Sequence, residues 1–144
     1  MQNQPPVQVS SQPPAQAGKS STGLDDNIAA LLSYIFGWIG GLIFFLIEKD
    51  SRLVRFHAMQ SLLLNVAVAI IVVVLLIVFS VVLLITTQIS GVLSGLFSIL
   101  ATLIWVVFAI GVLIAVVMCL IKAYGRQYFK LPIIGNFAEK FSQK

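Results

Sequence analysis

The sequence predicts an all-α fold, a helical transmembrane bundle of three spans with a short interfacial helix at its C-terminal end. Two observations carry that prediction. From Ala58 to Ile121 the chain runs 64 residues without Asp, Glu, Lys or Arg. As one helix the stretch would measure roughly 95 Å, against a hydrocarbon core of about 30 Å, so it crosses a bilayer at least twice. The second observation is composition. Of 144 residues, 59% are hydrophobic and 10% charged, where a soluble domain carries about 25% charged residues. A water-soluble fold this small has too little interior to hide so much Val, Ile and Leu.

Residues 1–23 form a tail rich in Gln, Pro, Ser and Ala, with near-repeats at Gln4-Pro5-Pro6-Val7-Gln8 and Gln12-Pro13-Pro14-Ala15-Gln16. Paired prolines block a helix, and the tail has little apolar surface to offset its ordering entropy, which predicts a disordered, polyproline-like segment. Residues 24–144 then make one membrane domain. Its first span covers about 27–47, capped by Asp25 or Asp26, whose negative charge suits the positive end of the helix dipole. Those 21 residues reach roughly 32 Å as a helix, and Glu48-Lys49-Asp50-Ser51-Arg52 ends the span abruptly.

The second span covers about 58–86. Its Val/Ile-rich interior would favour strand in water, but in lipid each backbone group must be satisfied within the segment or in a closed barrel. A barrel strand alternates polar and apolar residues, and nothing here alternates. Thr86-Thr87-Gln88-Ile89-Ser90-Gly91 gathers polar and glycine signals for a turn. The third span follows over about 92–121. Tyr124, Arg126, Tyr128, Phe129 and Lys130 have the composition of a headgroup region. Beyond Pro132, Ile133, Ile134, Phe137, Ala138 and Phe141 recur at helical spacing over about 132–142, which predicts an interfacial helix.

Three spans place the first loop and the C-terminus on one side, with Lys49, Arg52, Arg55, Lys122, Arg126, Lys130, Lys140 and Lys144; Lys19 alone falls on the other. The positive-inside rule then sets the C-terminus in the cytoplasm and the tail outside, in a multi-pass protein of the cytoplasmic membrane. Arg52, Arg55, Lys122, Arg126 and Lys130 are candidate contacts for anionic lipid headgroups, each worth on the order of 1 kcal/mol near the surface. The net charge of +4 flanks apolar segments and covers no folded face, so nucleic acid is not an expected partner.

His57, Ser61 and Asn65 repeat every four residues and share one helix face. That polar ladder either lines a hydrated path or bonds to a neighbouring helix, and the second reading is favoured. Gly37, Gly40 and Gly41 on the first span, and Gly111 with Ala115 on the third, are candidate helix-packing positions; a Gly-lined kink is the lesser reading of the first group. Tyr34 and Trp38 stand one turn apart in mid-span. Catalysis is poorly supplied, because all five carboxylates (Asp25, Asp26, Glu48, Asp50 and Glu139) lie outside the spans. His57 has no second His or intramembrane carboxylate with which to hold a metal. No phosphate loop or dinucleotide fingerprint occurs, so neither a cofactor nor an enzymatic activity is expected.

Three blocks carry a family resemblance: Asn27-Ile28-Ala29-Ala30-Leu31-Leu32-Ser33-Tyr34 with Gly41-Leu42-Ile43 and Glu48-Lys49; Arg55-Phe56-His57-Ala58-Met59-Gln60-Ser61-Leu62; and Tyr124-Gly125 through Leu131-Pro132-Ile133-Ile134-Gly135-Asn136 to Ala138-Glu139-Lys140. Over residues 25–142 the chain resembles a prokaryotic membrane-protein family of unknown function. That family is similar to the inner-envelope import component of the chloroplast Tic translocon. The resemblance implies a helical membrane fold and a place near protein translocation. The chloroplast component resembles a four-span bundle, where this chain supplies three. The expected function is a scaffold or accessory subunit acting through helix contacts, with lipid, a second copy or other membrane proteins as partners. The alternative is a component of a protein-translocation or small-solute pore.

Overall fold

Two long antiparallel helices form a shaft, and everything else packs around one end of it. The computed structural model describes residues 18–132 and 134–142, so the prolines of the N-terminal repeats, Ile133 and the last two residues lie outside the described part. Five helices follow in order: α1 (Asp26–Ile35), α2 (Gly37–Ile47), α3 (Arg52–Ile89), α4 (Gly91–Tyr124) and α5 (Ile134–Ser142). No strand occurs among the described residues, only an isolated bridge between Lys19 and Asp25.

The first predicted span does not form a single helix. The apolar run from Asn27 to Ile47 breaks at Phe36–Gly37 into α1 and α2, which fold back on one another. Gly37 sits at φ +58°, in the left-handed region that costs a residue with a Cβ roughly 1–2 kcal/mol. The reversal is tight. A Cβ on Gly40 would lie 2.7 Å from Phe36 Cβ and 3.0 Å from the Leu32 carbonyl oxygen. The two ends of the hairpin meet, with the Ser21 amide 3.0 Å from the Glu48 carboxylate. Among the described residues two helices, α3 and α4, are long and apolar enough to cross a membrane. The expected third helix of that length, over about 27–47, does not form.

The tail boundary moves as well. Residues 18–23, expected within a disordered tail that ran to residue 23, are folded against the α2–α3 loop, and the Gly18 amide donates to Asp26 Oδ2 at 3.3 Å. Neither Asp25 nor Asp26 caps α1 with its side chain; Asp26 binds Arg126 instead.

The 38-residue α3 measures about 57 Å and the 34-residue α4 about 51 Å. Ser90, fully extended at φ −164°, is the one residue between them. They touch along the shaft through aromatic edges, where Phe79 meets Phe97 at 5.9 Å and Trp105 at 6.2 Å between ring centres. From Val66 to Met118 no shaft residue is buried, as expected of a surface whose solvent is lipid.

The core sits at the hairpin end. Ala29, Ala30 and Tyr34 of α1 pack with Val54, Cys119 and Ala123, flanked by Phe44 and Phe129. Phe56 and Met59 form a second cluster with Ala138 of α5. The sequence suggested an apolar face of Phe137, Ala138 and Phe141 on α5. The docked face is Gly135, Ala138 and Ser142, with Ala138 against Phe56 and Met59 of α3 and Gly135 against Lys130, and Phe137 and Phe141 are exposed.

Candidate functional site

Where the hairpin meets α3, a run of polar side chains is buried among apolar ones. His57, Ser61 and Asn65 project from successive turns of α3 toward α1 and α2. His57 is fully buried, and both of its nitrogens are engaged. Its Nε2 lies 3.1 Å from the Gln127 carbonyl oxygen, which can only accept, so Nε2 carries the proton. Nδ1 then accepts from the Tyr34 hydroxyl at 3.2 Å. Tyr34 and Phe56 pack edge-on against the ring, at 5.8 and 5.2 Å between centres.

One turn on, the Ser61 hydroxyl donates to the Ser33 carbonyl at 2.7 Å, with the Gly37 carbonyl 3.3 Å away. Ser33 is in the last turn of α1, where carbonyls lack intrahelical partners. Ser61 therefore satisfies an acceptor that the α1–α2 break would otherwise strand in an apolar core. Asn65 Nδ2 returns to the Ser61 carbonyl at 2.9 Å, and its Oδ1 stands 3.6 Å from the position of a Cβ on Gly37. Close packing completes the seam. A Cβ on Gly41 would fall 2.8 Å from the Ala58 carbonyl and 2.9 Å from the Leu62 amide.

Sequence reasoning missed several residues that share this seam. Gln60 is fully buried and donates from Nε2 to Cys119 Sγ at 3.3 Å; its spacing of three from His57 was the available signal. Glu48 is fully buried in the α2–α3 loop. Its carboxylate accepts from the Ser20 and Ser21 hydroxyls and from the amides of Ser21, Asp50 and Ser51, the last at 2.8 Å. Burial alone would raise its pKa, but the hydrogen bonds from Ser20, Ser51 and Ser21 outweigh it and hold the group down at about 2. No local pattern announces a contact 27 residues apart.

The predicted headgroup contacts divide. Arg126 Nε pairs with Asp26 at 2.6 Å, and its Nη2 reaches Asn27 Oδ1 at 3.3 Å. Lys130 pairs with Glu139 at 2.8 Å, and Lys122 donates to Gln127 Oε1 at 2.9 Å. Arg52 and Arg55 have no carboxylate within 4 Å among the described residues. Of the candidate packing positions, Gly37, Gly40 and Gly41 all face the chain's own helices. Gly111 faces open space, and Ala115 is half-buried on α4. Tyr34 and Trp38, one turn apart in an unbroken helix, are separated by the break, and Trp38 is exposed.

Chemically the seam is a clasp. Ser61 donates to a backbone carbonyl and not to His57, so the two do not form a nucleophile–base pair. Among the described residues no group of three His, Cys, Asp or Glu side chains could hold a metal ion.

The matched sequences follow this architecture. A sequence model of the magnetosome magnetite crystal formation protein family, MamF/MmsF, matches residues 24–138, from the start of the hairpin to the docked face of α5. The chain belongs to that family. The MamF/MmsF match thus contains the whole clasp and both long helices. Curated relatives carry the same extent. A UPF0132 membrane protein of Methanocaldococcus jannaschii is 37% identical over 129 residues, covering 88% of this chain and 96% of its own length. Another from Archaeoglobus fulgidus is 34% identical over 124 residues, covering 81% and 95%. A second Methanocaldococcus jannaschii protein of that description is 32% identical over 122 residues, covering 83% and 71%. No solved structure matches. These relatives, labelled membrane proteins, support the prokaryotic membrane-protein half of the resemblance read from the sequence blocks. The tie to the chloroplast translocon has no such support.

Proposed function

We propose that this chain is a membrane scaffold or accessory subunit, without catalytic activity of its own, that works by docking its outward helix faces against other membrane helices. One observation carries the reading: α4 turns its three glycines away from its own fold. A Cβ on Gly91, Gly95 or Gly111 would meet nothing within 4 Å. Gly91, Gly95, Ser98 and Thr102 follow a three-four spacing and so share a face. The Ser98 and Thr102 hydroxyls donate to their own helix backbone at 2.8 Å, which leaves that face smooth. In lipid, where apolar burial gives little drive, such small-residue faces are what allow a second helix to approach closely.

The alternative, a pore or translocation component, drew on the His57/Ser61/Asn65 ladder as the wall of a wet path. The bonds from those side chains to α1, to Gln127 and to the α3 backbone favour packing. The magnetite crystal formation in the family's description fits the same reading: a scaffold that organises partners at a membrane needs no mineral-binding residue of its own. For orientation, Lys19, Lys49, Arg52, Arg55, Lys122, Arg126, Lys130 and Lys140 all belong to the hairpin end, and the positive-inside rule puts that end in the cytoplasm of a two-pass cell-membrane protein.

Chemical cross-linking in native membranes, followed by mass spectrometry, tests the reading. Cross-linked species through α4 are expected, and Gly95→Leu should deplete them. Recovery of the chain only as an isolated monomer would contradict it.

A further inference from the structure

We propose that the groove between α2 and α3 is a binding site for one anionic glycerophospholipid, with its phosphate at Arg55 and an acyl chain over Trp38, Leu62, Val66 and Ala69. Arg55, Leu62, Val66 and Ala69 follow spacings of seven, four and three residues and so form one stripe along α3. Trp38 and Phe45, seven residues apart, share a face of α2. Between them lies an apolar groove of about 460 Å³, lined by Trp38, Leu62, Asn65, Val66, Val68 and Ala69. Its one polar member, Asn65, gives its amide N–H to the α3 backbone.

The cationic end supplies the choice of occupant. The Arg55 guanidinium lies over the Phe45 ring, 5.4 Å from its centre. Its one hydrogen bond is a long one, from Nη1 to the Glu48 carbonyl at 3.4 Å. Its Nε is buried and has no partner, and no carboxylate lies within 4 Å among the described residues. Two other cations at this end of the molecule are neutralised, Arg126 by Asp26 and Lys130 by Glu139. A guanidinium held on an aromatic face with most of its donors unused calls for an anion with several acceptor oxygens, which a phosphate supplies. Phe45, beneath the cation, and Leu62, on the groove wall, both pack against the Phe56–Met59–Ala138 cluster. From Arg55 to Ala69 is roughly 21 Å along the helix, more than the ~15 Å depth of one leaflet's hydrocarbon. A headgroup-to-tail ligand fits that polarity, where a free phosphate would leave the floor empty.

Native mass spectrometry of the full chain in detergent, titrated with phosphatidylglycerol or phosphatidylcholine, tests this. Phosphatidylglycerol should be retained about fivefold better, and Arg55→Gln should remove that preference, by the ~1 kcal/mol that one cation contributes near an anionic headgroup. Arg55→Lys should keep most of it, and Lys140→Gln, with equal loss of charge elsewhere, should change nothing. Ala69→Phe, which fills the floor without touching Arg55, should lower retention of both lipids. Water-soluble glycerol phosphate in excess should not displace the lipid. Equal retention of the two lipids, an effect of Lys140→Gln as large as that of Arg55→Gln, displacement by glycerol phosphate, or a second copy of the chain in place of lipid would each overturn the proposal. None of these outcomes depends on whether α4 docks a partner.

Discussion

His57 and Glu48 show how a few buried polar groups hold an apolar hairpin in place. The four-residue repeat of His57, Ser61 and Asn65 was readable from the sequence, as was their common face. What they bond to was not, because Ser61 meets a carbonyl freed only where α1 ends at Ile35, and His57 meets Tyr34 and Gln127, 23 and 70 residues away. Hydrogen bonds between helices in lipid are worth about 0.6 kcal/mol on average and up to about 1.7. Ser61→Ala should lie at the upper end, because it strands the Ser33 carbonyl in the core. A loss of about 1–2 kcal/mol in unfolding by denaturant in micelles is expected. Glu48 gives a pH dependence. Its carboxyl sits at about 2 in the folded chain against an ordinary 4.5, so the folded state favours the ionised form. That stabilisation is complete above about pH 4.5 and is lost as pH falls toward 2, a span worth about 3 kcal/mol. Thermal unfolding from pH 7 down to 3 should show the decline, and Glu48→Gln should flatten it.

Among the elements, the α1–α2 hairpin is where sequence reasoning and structure part. A stretch of 21 uncharged residues satisfies the length rule for a span, and averaging hydropathy over it hides the three glycines at its centre. Those glycines were legible as close-packing positions. Their partners within the chain were not, because the partners depend on Gly37 adopting φ +58°. Similar logic applies at the end of α4. Gly125 lies at φ −75°, and Arg126 takes the left-handed φ of +54°. The ion pair from Arg126 to Asp26 holds the less favoured backbone in place. The glycines give a clean contrast. Gly41→Val places a Cβ inside contact distance of the α3 backbone and should cost about 1–3 kcal/mol, as overpacked interiors do. Gly111→Ala meets nothing and should leave stability unchanged or raise it by up to about 1 kcal/mol through helix propensity. Parallel melting curves in detergent would separate the two.

For the whole molecule, the long charge-free gap was sufficient to read two long apolar helices joined near Ser90, and α3 and α4 are both long and apolar enough to cross a membrane. The third crossing was an inference from length, and with it went the placement of the N-terminal segment. A hairpin whose ends are tied by Ser20, Ser21 and Glu48 brings residue 18 to the same end as Tyr124 and α5. This arrangement also gathers the basic residues more completely than three spans would, since Lys19 no longer stands apart. The molecule is then an apolar two-helix shaft carrying a compact, clasped head.

The same-side arrangement is tested most directly by labelling single cysteines with a membrane-impermeant maleimide. Lys19→Cys, Ser90→Cys and Lys130→Cys would each be introduced in a Cys119→Ala background and probed in right-side-out and inside-out vesicles. Positions 19 and 130 should label together in the inside-out vesicles, and position 90 in the right-side-out ones. Labelling of 19 and 130 from opposite faces would restore a third crossing and contradict the hairpin.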